Sequence, residues 1–134
     1  MPAHYGAPTL GAGGFAPQML AFEPAVIGSK WTVGIDGGNG GKAAVLLQST
    51  IQILNGLPFQ GASLHVELGP NTLVKRIGNL HGSANGDGWG SATVNIANDP
   101  LLIGQPIYSQ WVVVDPQGGG IRMCSSDAIA MTYL

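Results

Sequence analysis

The chain has 134 residues, of which only 9% are charged, and a formal net charge of −2 at pH 7. With 45% hydrophobic residues and a mean hydropathy of +0.24 it can bury a core, which excludes disorder for want of apolar surface and makes one domain the expectation. Five Lys and Arg in all are too few to neutralise a run of phosphates, which excludes nucleic acid as a partner. The same scarcity of charge removes the repulsion that keeps copies apart and favours self-association.

The 22 glycines and 9 prolines call for many turns between short elements. Residues 1–17 read as an extended Gly-, Ala- and Pro-rich lead-in; "MPAHYGAPTLGAGG" has neither a basic start nor an apolar stretch, so it is not expected to be an export signal. Residues 18–134 read as a single β-sandwich domain. Apolar runs at 18–22, 29–35, 42–49, 62–68, 72–79, 89–97, 107–114 and 127–134 are divided by Gly, Pro, Asn and Asp clusters. With 51–54 as a possible extra, that pattern predicts eight to nine short strands of an all-β, antiparallel Greek-key sandwich of Ig-like type.

Alternation assigns faces. Trp31, Val33 and Ile35 share one side of their strand, as do Leu64, Val66 and Leu68, and Ile129, Met131 and Tyr133; these are expected in the core. His65 falls on the opposite side and is expected in solvent. Cys124, the lone cysteine, reads as a small buried residue with no disulfide partner. No apolar run approaches the roughly 18 residues of a membrane span.

The Gly-rich stretch after the Trp31 strand imitates two nucleotide motifs. Gly38, Gly40 and Ala43 fit G-x-G-x-x-A, but Glu67 lies too far on to serve a ribose and no further βα unit is present. Gly41-Lys42 imitates a phosphate loop, yet Asp36 stands where its first Gly belongs and Ala43 where Ser or Thr would hold magnesium. A hairpin turn explains the same letters. There is no G-x-S-x-G, His4, His65 and His81 have no local partners, and Glu23, Glu67 and the five Asp show no catalytic pairing. No catalytic residue and no cofactor is therefore expected. Calcium has candidate ligands in Asp36 with Asn39 and Asn85 with Asp87, all four being residues that tight turns also favour.

The stretch "NDPLLIGQPIYSQWVVVDP" is the most sharply patterned. Asn98-Asp99-Pro100 reads as a turn start, and 107–114 as a strand whose near-continuous apolar end suggests a central place, with Tyr108 and Gln110 as buried hydrogen-bonding groups. Tyr108 and Trp111 fall on opposite faces, so at least one belongs to the core. Trp89, at a loop edge, suits either sugar stacking or capping of the core.

Together with "GGFAPQMLAF", "IGSKWTVGIDGGNGGKAAVLLQS" and "SSDAIAMTYL", that stretch resembles an Ig-like module that recurs in secreted and surface proteins of environmental bacteria. The shared features are the Asn-Asp-Pro, a Leu-x-Gly turn, an aromatic, Gln110, and the closing Asp115-Pro116; Ser126-Asp127 stands where the module has a Ser-Asn pair. The likeness runs through both ends of the chain and is thin over 50–88. It implies an exported β-sandwich without a settled activity and supplies no catalytic residues.

The functional expectation is a non-enzymatic extracellular or cell-surface structural module that associates with itself or with other surface proteins. A carbohydrate-binding or adhesive module is the alternative, and a small hydrolase the third reading. Counting strand reversals puts loops 36–41, 81–88 and 115–126 at one end if 51–54 form a strand; if they do not, the last two switch ends. That end would gather Asp36, Asn39, His81, Asp87, Trp89, Asp115 and Arg122 as ligand-binding candidates.

Overall fold

The computed structural model describes residues 3–21, 24–70, 72–114 and 122–134. Ten strands are present among them: β1 (Ala3–Tyr5), β2 (Gln18–Ala21), β3 (Lys30–Gly38), β4 (Ala43–Ser49), β5 (Gln52–Phe59), β6 (Ala62–Val66), β7 (Leu73–Asn79), β8 (Gly88–Asn95), β9 (Pro106–Val114) and β10 (Met123–Thr132). Every pairing is antiparallel. The sheets run β1-β10-β9-β4-β7, β2-β3-β8 and β5-β6. The all-β, antiparallel expectation thus holds, with more strands than the eight or nine counted.

Alternation drives the main packing. Trp31, Val33 and Ile35 from β3, Met19 from β2 and Ala92 from β8 meet Ala44 and Leu46 from β4, Trp111 and Val113 from β9, and Cys124, Ile129 and Met131 from β10. Trp31, Trp111 and Ile129 are all at most 1% exposed, which makes this inner core the largest apolar body of the protein. Cys124 is buried, as expected.

The middle sheet is covered on its other face too. Leu47 and Val112 pack with Ala62, Leu64 and Val66 of the β5–β6 hairpin, joined by Val45, Phe59, Tyr108 and Met123. This third layer explains the apolar run at the end of β9, since a strand buried on both faces needs no alternation. β9 also lies between β10 and β4, the central place its sequence suggested.

Several expectations need correction. The lead-in contributes β1, which pairs Ala3 with Ala130 and Tyr5 with Ala128 at the edge of the middle sheet. Residues 36–38 belong to β3, and 123–126 to β10, where turns were expected. Ala43–Ser49 is a strand, so the nucleotide motifs lack their helix. β6 ends at Val66, which leaves Leu68 beyond the alternation and exposed. His65, expected in solvent, is only 4% exposed because its ring is covered by Gly6 and by Gly56 of β5.

Two irregularities interrupt the ladders. In β3 the register shifts between Ile35 and Gly38, so Asp36 and Gly37 bulge opposite Trp89. In β10 it shifts between Ser125 and Ala128, where Ser126 and Asp127 face Trp111. There the Trp111 backbone N–H donates to Ser126 Oγ at 3.0 Å.

Candidate functional site

Loops 36–41 and 81–88 lie together. Gly86 N–H donates to Asn39 Oδ1 at 3.0 Å, and Gly40 N–H donates to the Ala84 carbonyl at 3.0 Å. A Cβ on Gly40 would fall 2.4 Å from the backbone of Gly82, so only glycine permits this approach. β9 ends beside them, Val114 pairing with Ala43.

The seven candidate residues are divided by this arrangement. Asn39 is buried, and Asp87 accepts from Ala84 N–H at 2.9 Å and Ser83 N–H at 3.4 Å. These oxygens hold the loops in place, which is what Asn and Asp do in tight turns. Among the described residues no group of three or more His, Cys, Asp or Glu is arranged to hold a metal ion. Arg122 is exposed just before β10, and Asp115 lies outside the described residues.

Asp36, His81 and Trp89 form a different site. His81 bridges to Trp89 from the side of β8 away from β3, and the two rings stack with centroids 4.2 Å apart at 22°. The indole is nonetheless 54% exposed. On the β3 side it walls a groove of about 420 Å³ across the outward face of β2-β3-β8, lined also by Leu20, Thr32, Gly34, Asp36 and Ser91. Gly34 is a floor residue opposite Ser91. A Cβ there would meet Gly90 O and Leu20 Cβ at 3.5 Å, ordinary contact distances. The backbone therefore does not demand glycine at 34. Glycine inside a strand costs about 0.5–1 kcal/mol relative to alanine and often marks the close approach of a ligand.

A second concavity lies on the far layer. The hairpin sits over β9 and β10 and leaves the β4–β7 side of the middle sheet open. The resulting trough of about 240 Å³ is lined by Val45, Leu47, Phe59, Leu64, Leu68, Val74, Arg76, Val112, Val114 and Met123. Leu68 and Val74 are exposed apolar residues of its lining.

Hydrogen bonds fasten the hairpin. Gln110 is fully buried; its Oε1 accepts from His65 N–H at 2.9 Å, and its Nε2 donates to the carbonyls of Ser63 at 2.8 Å and Ser126 at 2.9 Å. Ser125 Oγ accepts from Ser63 N–H at 3.1 Å. The His65 ring lies against Gly6 and Gly56, with Nδ1 3.0 Å from the Ile53 carbonyl and its buried Nε2 unpartnered. Tyr5 donates to the His65 carbonyl at 2.6 Å. The Tyr5 hydroxyl is pushed well above the ordinary tyrosine range, first by burial and then by Tyr108; burial also raises Tyr133.

The sequence singled out Trp89, Asp36 and His81 by their loop-edge letters. It missed Leu20, Thr32, Gly34 and Ser91, which are outward positions opposite the core residues of their strands. The period-2 pattern marks such positions only as solvent-facing. Comparison with known protein families, with curated proteins and with solved structures finds nothing that matches this chain.

Proposed function

We infer that the protein is a non-enzymatic structural module of the cell exterior, and that it works by associating with further copies of itself through the open side of its middle sheet. The observation that carries this reading is the apolar trough beside the hairpin, in which Arg76 is the one charged lining residue among those described. A surface of this kind on a chain with 9% charged residues gains by excluding water and meets little repulsion. Export is supported by the resemblance of both ends of the chain to modules of secreted and surface proteins. The Ig-like Greek-key reading is supported by strand order, since β2-β3-β8 opposite β10-β9-β4 corresponds to A-B-E opposite G-F-C. The absence of a catalytic role is supported by the use of Asn39 and Asp87 as loop ties.

Native mass across a concentration series tests the assembly. It should rise with concentration, and Val74→Glu, at an exposed edge position, should weaken association about tenfold or more without lowering the melting temperature. A chain that remains monomeric at the highest soluble concentration refutes the reading.

A further inference from the structure

The geometry points to a saccharide site, independent of self-assembly, in the groove between Trp89 and Asp36; its ligand is a neutral pyranose unit. His81 occupies one side of the indole, at 4.2 Å and 22°, and so holds the ring in a fixed orientation over the outer sheet face. The opposite side walls the groove, where an aromatic surface offers the apolar C–H face of a sugar ring a flat partner. Around that wall stand the groups a sugar needs at its rim. Asp36 is exposed on the bulge opposite Trp89, and its carboxylate can accept hydrogen bonds from hydroxyls. Ser91 and Thr32 add hydroxyls on the same outward face.

Gly34 makes the room. Its missing side chain opens the floor at a position where a Cβ would meet nothing closer than 3.5 Å. The volume of about 420 Å³ falls within the range of small-ligand clefts, roughly 300–1,000 Å³. The chemistry also sets the class of sugar, because Asp36 is the only charged residue lining the groove among those described. An acidic sugar would bring like charge against it, whereas a neutral one supplies donors.

Native gels cast with soluble neutral polysaccharides (a glucan, a mannan, a galactan and a xylan), and with alginate as an acidic comparator, test the site on the full chain. At least one neutral polymer should retard the protein. Trp89→Ala and Gly34→Val should each weaken that retardation about tenfold, the first by removing the wall and the second by filling the floor. Gly34→Val leaves the His81–Trp89 stack in place, and Gly34→Ala replaces it if the bulkier variant lowers the melting temperature. Retardation by no neutral polymer, retardation that survives filling of Gly34, or stronger retardation by alginate overturns the site. A protein that self-assembles yet binds none of these polymers refutes this inference and leaves the assembly reading standing.

Discussion

The two faces of the middle sheet are held by different physics. Its inner face meets β2-β3-β8 through large apolar side chains, with Trp31, Trp111, Ile35, Leu46 and Ile129 all buried. Its outer face meets the hairpin through a smaller apolar set and a group of directed hydrogen bonds centred on Gln110 and Ser125. Apolar contact is proportional to area and tolerant of small shifts, whereas a carboxamide that must satisfy three backbone groups accepts one placement. The inner face therefore supplies most of the stability, and the outer face fixes where the hairpin sits.

The sharpest way to break this contrast is on the inner face. Trp111→Ala should cost about 3–5 kcal/mol, the usual range for removing a large buried aromatic, and should abolish cooperative unfolding in denaturant at ambient temperature if the native margin is smaller. A loss under about 1 kcal/mol would mean that the inner core is not the main stabilising layer.

Gln110→Leu tests the outer face. It strands the His65 amide and the Ser63 and Ser126 carbonyls, so a loss of about 2–4 kcal/mol is expected, at about 1–3 kcal/mol per unsatisfied buried group with partial relaxation. Amide exchange should rise in β6 first and leave β3 protected; uniform loss in both would show that the two faces are one cooperative unit.

The smallest effect is alkaline. A tyrosine whose folded pKa is raised keeps its proton longer in the folded state, so its contribution is full below the unfolded value of about 10 and is lost as pH rises past it. Stability should accordingly decline above about pH 10, and Tyr5→Phe should flatten part of that decline, the part belonging to the hairpin side. Tyr133, packed against the inner core, should account for the remainder. An unchanged alkaline limb in Tyr5→Phe would assign the whole effect to the inner face.

Legibility in the sequence divides along the same line. The inner face was legible because Trp31, Val33 and Ile35 alternate with polar residues, and apolar burial leaves that period in the letters. The hairpin layer was legible only in part: Gln110 could be read as a buried hydrogen-bonding group from its place in the β9 run, whereas Ser125 and His65 are polar and resemble solvent-facing positions. β1 was hidden for another reason: three residues, "AHY", are too short to show a period, and their place depends on β10, more than a hundred positions away. Of the groove, the turn-forming and aromatic residues could be nominated. Gly34 could not, since a glycine that leaves room for a ligand and one that merely weakens a strand are written alike.

The bulge at Ser126 and Asp127 gives β10 two phases. Before it, the even-numbered Cys124 faces inward while Met123 and Ser125 face the hairpin; after it, the odd-numbered Ile129 and Met131 face inward. Two half-strands of opposite parity are spliced at the Ser126 hydroxyl, and the splice lets one strand serve both layers. Were Ser126 and Asp127 both paired in the ladder, with no bulge, Ile129 and Met131 would turn outward and Ala128 and Ala130 would take their places, exchanging large side chains for small ones along half the strand. At this point the number of residues matters more than their kind.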